Sequence, residues 1–245
     1  MKSEGGYTRA LLKLSGDAFG GAGVEVFDEG QITYIADELR AARQVCPQLA
    51  LVVGGGNIMR GAQFRAHGPG RLRADYAGMT ATVVNALVLQ DGLERADIPS
   101  RVYSALPVTG AAEPFDADRC RGDLDQGRVV ILAGGTGNPL FTTDTAAALR
   151  AIQVGASLLL KATRVDGVFS ADPEKDPDAE FFEHLEYEQV LERRLGVMDL
   201  CAVSLCMQHR LPVRVINYRE AGNIRRALAG ESIGTLIGNA GNGHG

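Results

Sequence analysis

Two lysines close apolar runs, Lys13 after Ala10-Leu11-Leu12 and Lys161 after Leu158-Leu159-Leu160, and a carboxylate, Asp144, ends a run of glycines and hydroxyls. That run reads Gly134-Gly135-Thr136-Gly137-Asn138-Pro139-Leu140-Phe141-Thr142-Thr143 and follows the apolar Val129-Val130-Ile131-Leu132-Ala133. Glycines at a strand-to-helix turn let backbone N–H groups close on an anion. A lysine beside a hydroxyl and a glycine, as in Lys13-Leu14-Ser15-Gly16, puts a compact positive charge where a transferring phosphoryl group develops negative charge. A carboxylate between two lysines would hold both ammonium groups in place. Positioning and charge neutralisation supply most of the rate in phosphoryl transfer. The plainer reading of Lys13 is a solvated side chain beside a turn, and that of Asp144 a helix cap in competition with Thr142 and Thr143.

Other residues extend the same chemistry. Gly54-Gly55-Gly56-Asn57, followed by Arg60-Gly61, has more glycine than a tight turn needs, and Arg60 could fork onto a phosphate. Asp75 is either a carboxylate for ligand hydroxyls, such as those of a ribose, or the cap of a helix starting near Tyr76. Phe169 offers a face to a purine or a simple plug. Asp166-Gly167 and Asp172-Pro173 are turn signals, so their aspartates could do no more than shape the loop.

The elements that must position these groups show as alternating patterns. Strands are predicted at Ala10–Leu14, Leu49–Val53, Arg101–Ser104, Val129–Ala133, Leu158–Ala162, Val213–Ile216 and Thr235–Ile237. Helices are predicted at about Glu29–Val45, Tyr76–Ala96, Thr143–Val154, Tyr187–Arg194, Met198–His209 and Ile224–Ala229. This alternation implies a mainly parallel sheet with helices on both faces, and a ligand site beyond the carboxyl ends of the strands. With no linker or repeat, one domain over 7–237 is expected, with 1–6 and 238–245 as flexible termini.

Composition restricts the partners. The chain has 245 residues, 45% of them hydrophobic, and a net charge of -5 that argues against non-specific nucleic-acid binding. No apolar stretch is long enough to span a bilayer, and the first residues lack a signal-peptide core. The four cysteines, Cys46, Cys120, Cys201 and Cys206, have no metal-site spacing and read as buried apolar residues in a reducing cytoplasm. No GxxxxGK[ST], no protein-kinase HRD and DFG set and no GxGxxG after the first strand occur. His67, His184, His209 and His244 have no nucleophile motif nearby, which leaves a hydrolase triad without support.

Taken together and in order, these motifs resemble the amino acid kinase superfamily, and within it the bacterial uridylate (UMP) kinases. The motifs are Lys13-Leu14-Ser15-Gly16, Gly54-Gly55-Gly56-Asn57 with Arg60-Gly61, Thr136 to Asp144, Lys161-Ala162-Thr163, Val165-Asp166-Gly167-Val168-Phe169, Asp172-Pro173 and Val197-Met198-Asp199-Leu200. The likeness runs from about Tyr7 to Ile237. It implies an αβα sandwich and a cytoplasmic homohexamer. It also implies transfer of a phosphoryl group from ATP to UMP, with Mg²⁺ carried mainly on ATP oxygens, in pyrimidine nucleotide synthesis.

By matching position, the resemblance implies that Lys13, Leu14, Ser15, Gly16, Gly56, Arg60, Thr163, Phe169 and Asp172 bind ATP. Gly55, Asp75 and Thr136-Gly137-Asn138-Pro139-Leu140-Phe141-Thr142-Thr143 would bind UMP. Lys13, Arg60, Asp144 and Lys161 would carry the catalysis. The chain departs from the family pattern at Asp17, where Glu is common, at Leu140, where an aromatic is frequent, and at Ala74, a common Gly site. The stretch Gly21 to Val26 also lacks a usual glycine in a region linked to effectors in some members. Two alternatives stand beside this reading: a relative that phosphorylates a carboxylate or carbamate, and a non-catalytic nucleotide or oxyanion binder.

Overall fold

The computed structural model describes residues 2–3, 6–20, 25–59, 70–173, 175–176 and 178–239. Its strands are β1 (Lys2–Ser3), β2 (Gly6–Tyr7), β3 (Arg9–Leu14), β4 (Gln48–Val53), β5 (Ser100–Ser104), β6 (Glu113–Pro114), β7 (Val129–Ala133), β8 (Leu159–Thr163), β9 (Val168–Phe169), β10 (Phe181–Phe182), β11 (His184–Glu186), β12 (Val213–Asn217) and β13 (Thr235–Gly238). Its helices are α1 (Glu29–Arg43), α2 (Arg71–Arg95), α3 (Ala117–Asp125), α4 (Thr143–Val154), α5 (Tyr187–Glu192), α6 (Leu200–Gln208) and α7 (Asn223–Leu228).

Among the described residues one nine-stranded sheet runs in the order β11-β13-β12-β8-β3-β4-β7-β5-β6. From β12 to β6 every pairing is parallel; β13 turns back against β12, and β11 pairs parallel with β13, so these two strands run opposite to the rest. Successive strand residues point to opposite faces, so a sheet covered on both sides needs apolar residues at every position. β7, Val129 to Ala133, meets that need with five buried side chains.

The two faces feed two apolar layers. Leu12, Leu14, Leu49 and Leu51 pack with α1, α2 and α7, through side chains such as Leu39, Leu89 and Leu228. Leu11, Ala50, Val52 and Val130 pack with α3 to α6, through Leu124, Ala151, Val190 and Val203. The result is the helix–sheet–helix sandwich that the alternating pattern implied.

Several differences from the sequence reading have local causes. α2 begins at Arg71, not near Tyr76, and its N-cap is Gly70 with no side-chain cap bond. Asp75 therefore lies inside the helix and does not cap it. Helix α3 was not expected. Its charged sequence buries only Cys120, Asp123 and Leu124, too thin a stripe to show as a period, although Asp116 caps it by accepting from the Arg119 N–H at 2.8 Å. Within the N-terminal segment, Lys2–Ser3 pairs with Gly6–Tyr7. Cys46, Cys120 and Cys206 are buried as expected, but Cys201 on α6 is exposed.

Candidate active site

Strands β3 and β8 are neighbours, and Lys13 lies opposite Lys161 in their register. Two ammonium groups are thus delivered side by side at the carboxyl edge of the sheet. The first turn of α4 brings Asp144 between them: its Oδ1 is 3.0 Å from the Lys13 Nζ and its Oδ2 2.7 Å from the Lys161 Nζ. Lys161 also donates to the Val197 carbonyl. The cap of α4 is Thr142, whose hydroxyl accepts from the N–H groups of Asp144 and Thr145 at 3.0 and 3.2 Å. Asp144 is free to serve the lysines.

Asp144 and Lys161 are largely buried, so burial and neighbouring charges both act on their ionisation. Burial works to raise the Asp144 carboxyl, and the charges of Lys13 and then Lys161 outweigh it, holding it below the ordinary carboxylate value. Burial is the largest influence on Lys161 and pushes it down; the Asp144 charge opposes this and the Lys13 charge adds to it. One carboxylate against two ammonium groups leaves the trio one positive charge in excess. That excess suits a phosphate arriving beyond the strand ends.

The glycine loops close around this trio. A Cβ on Gly16 would lie 2.4 Å from the Gly56 N, so only glycine lets the loops after β3 and β4 touch backbone to backbone. Helix α2 pins two loops with buried polar side chains. Asn85, fully buried, donates to the Gly54 carbonyl at 2.6 Å, and the Thr82 hydroxyl accepts from the Gly134 N–H at 2.8 Å. Sequence reasoning missed both, although a threonine and an asparagine on the inward face of a long helix are a legible signal. Gly55 lies against the same helix, where a Cβ would sit 2.8 Å from the Gly78 carbonyl oxygen. Arg60 and Gly61 lie outside the described residues, as does the stretch 21–24.

The loop after β7 runs from Gly134 to Thr142 and is tied at both ends. Asp75, reaching across from α2, accepts from the Leu140 N–H at 2.8 Å. Leu140 has φ +74, a left-handed conformation that costs a non-glycine residue about 1 kcal/mol and needs such an anchor. Within the loop, the Thr136 hydroxyl accepts from the Asn138 N–H at 3.1 Å, and Leu140 and Phe141 are exposed. At the far end Asp199 accepts from the hydroxyls of Thr142 and Thr145, the latter at 2.8 Å, and caps α6 by accepting from the Ala202 N–H at 3.0 Å. The structure thus brings Asp199 and Thr145 into the site beside the expected residues.

Beside Lys161 opens a cavity of about 420 Å³ lined by Thr163, Val165, Phe169, Asp172, Arg193 and Leu195, among others. Phe169 forms one wall, its ring 5.2 Å from that of Phe181. The Thr163 hydroxyl donates to the Val165 carbonyl at 2.8 Å. Asp172 pairs with Lys175 at 2.7 Å, and Asp166 accepts from the Asn217 amide at 3.0 Å, so both loop aspartates have roles in the fold. Asp17 pairs with Arg164 at 2.6 Å, joining the loops after β3 and β8.

Over nearly its whole length the chain is similar to known proteins. A uridylate kinase of Coxiella burnetii is 45% identical over 231 residues, which are 94% of this chain and 95% of that protein. The solved UMP kinase of Bacillus anthracis superposes with a TM-score of 0.93 at 35% identity, covering 96% of this chain and 97% of its own. That of Ureaplasma parvum does so at 0.89 and 30%, covering 95% and 99%. The amino acid kinase family matches residues 8–217. A match over that span, on a sheet whose adjacent strand ends carry two lysines bridged by one carboxylate, makes this chain a member of the amino acid kinase family.

Proposed function

We propose that the protein is a UMP kinase that transfers the γ-phosphoryl group of ATP to UMP, giving UDP and ADP for pyrimidine nucleotide synthesis. The observation that carries this reading is the net-positive trio of Lys13, Asp144 and Lys161 at the strand ends, with a cavity beside Lys161. The cavity beside Thr163, Phe169 and Asp172 suits the adenosine end of ATP, with Lys13, Leu14, Ser15, Gly16 and Gly56 along its phosphates. Gly55, Asp75 and the loop Thr136-Gly137-Asn138-Pro139-Leu140-Phe141-Thr142-Thr143 suit UMP. Arg60 is assigned to the meeting point of the two substrates' phosphates.

A phosphate oxygen of UMP attacks the γ-phosphorus, and the bond from that phosphorus to the bridging oxygen of ADP breaks. Little covalent chemistry is asked of the protein. Lys13 and Lys161 neutralise charge spreading over the transferring oxygens and the leaving oxygen, and Asp144 keeps both ammonium groups where that charge appears. Because Asp144 and Asp199 are already engaged, the donor set suits a Mg²⁺ ion that enters on ATP oxygens and water. When bound, that ion adds further neutralisation of the phosphates.

The same reading extends to a cytoplasmic homohexamer and to a single domain over 7–237. The continuous sheet from β3 to β13 supports the domain assignment, and no helix among the described residues is long and apolar enough to cross a membrane. The test is ADP release from ATP and Mg²⁺ with UMP, CMP or acetylglutamate offered separately. Turnover with UMP is the expected result. Turnover with acetylglutamate alone would make this a carboxylate kinase, and tight nucleotide binding without turnover would make it a binding protein.

A further inference from the structure

Arg150 lies on α4 and is 5% exposed, yet among the described residues no carboxylate pairs with it. Its Nη1 donates to the Gln153 side-chain oxygen at 2.7 Å, and its guanidinium carbon stands 3.8 Å over the Phe115 ring. Burial pushes its pKa down to about 10, still a cation at neutral pH. A buried charge without a counter-ion is unfavourable, and an unbranched apolar side chain would fill the space at lower cost. What an apolar residue could not do is donate, and the Arg150 Nη2 donates to the Gly135 carbonyl at 3.1 Å.

Gly135 occupies a sensitive place. Residues 134–137 form a turn closed by the Gly137 N–H on the Gly134 carbonyl at 3.0 Å, with φ of +75, +59 and +83 at Gly134, Gly135 and Gly137. The central peptide of such a turn, here Gly135–Thr136, is the one whose rotation interconverts turn types while the flanking chain stays still. Thr82 holds the Gly134 N–H and Asp75 the Leu140 N–H, and neither touches that peptide. In a trans peptide the carbonyl and the next N–H point in opposite directions. With the Gly135 carbonyl drawn inward to Arg150, the Thr136 N–H points away from it, and among the described residues it donates to nothing.

We infer that Arg150 is a positioning residue for the acceptor substrate: it locks the Gly135–Thr136 peptide in one orientation and so presents the Thr136 N–H to an acceptor oxygen. The inference rests on the UMP kinase reading. Arg150→Met keeps the length and the packing on Phe115 and removes the donors. Titration of UMP in the absence of ATP is expected to show binding roughly tenfold weaker in this variant. The ATP requirement should be unchanged and the melting temperature equal or higher, since an unpaired buried charge is gone. Arg150→Lys, with one donor retained, should recover part of the affinity.

Unchanged UMP binding in Arg150→Met would overturn the inference, as would equal losses for UMP and ATP together with a lower melting temperature. If that variant does not fold, Phe115→Leu takes its place, removing the stacking ring and leaving the donor. About threefold weaker UMP binding is expected there, and unchanged binding would overturn the inference. A wild-type protein that binds no UMP would overturn the acceptor assignment and this inference together, whereas wild-type binding with an unaffected variant overturns only the latter.

Discussion

Asp144 holds two ammonium groups that would otherwise repel each other at the ends of adjacent strands. Lys161→Ala is therefore expected to lower turnover at least a hundredfold while UMP binding changes only a few-fold, because the charge of Lys161 acts mainly as the phosphoryl group transfers. Steady-state kinetics with direct UMP titration separates the two, and normal turnover would remove Lys161 from the mechanism.

The depressed Asp144 carboxyl also makes a prediction about acid. A carboxyl whose folded value lies below its ordinary 3.8 contributes stability that is complete above that value and is lost as pH falls through the folded one. Urea unfolding of wild type between about pH 5 and about pH 2.5 should thus show a steeper loss of stability than Asp144→Asn. Equal slopes would contradict the assigned shift.

Much of this site was legible as residue types at strand ends. Asp75 was not placed correctly, since Gly70 offers no capping side chain to mark where α2 begins. Arg71 to Ala74 simply extend the helix backwards, and Asp75 lands in its second turn facing Leu140.

At the scale of elements, two helices organise the loops. α2 fixes the loops after β4 and β7 through Asn85 and Thr82, and α6 is bound to the start of α4 through Asp199. Replacing Asp199 with Ala removes the α6 cap and two hydroxyl contacts at once. A loss of about 1–2 kcal/mol in unfolding free energy is expected, with a raised UMP requirement, measured by denaturant titration and UMP saturation. A stability loss with an unchanged saturation curve would limit Asp199 to capping. Such ties between elements escape sequence reasoning because each joins residues far apart in the chain whose types, Thr, Asn and Asp, are equally at home on a surface. Helix α3 escaped for the opposite reason: its residues are so polar that no apolar period remains.

For the whole molecule, the parallel sheet was readable because burial on both faces leaves unbroken apolar runs, and every predicted strand lies on an observed one. Strands β6, β9, β10 and β11 have only two or three residues each, too few for any periodicity to show. Amide exchange should be slowest in the centre of the sheet, at Leu11–Leu12, Leu51–Val52 and Ile131, and faster at β6 and β11 on its edges. Uniform exchange across the sheet would contradict the expected gradient from its centre to its edges.

The position of β3 in that sheet has a consequence in time. In chain order Lys13 precedes Asp144 and Lys161, and β3 can pair with β4 as soon as residue 53 has left the ribosome. Asp144 and Lys161 are synthesised much later, and β8 must then dock on the opposite flank of β3. Until Asp144 is made Lys13 lacks that counter-charge, and the trio assembles only when the two halves of the sheet have joined. On the proposed function, onset of nucleotide binding is expected to mark the moment the sheet closes around β3.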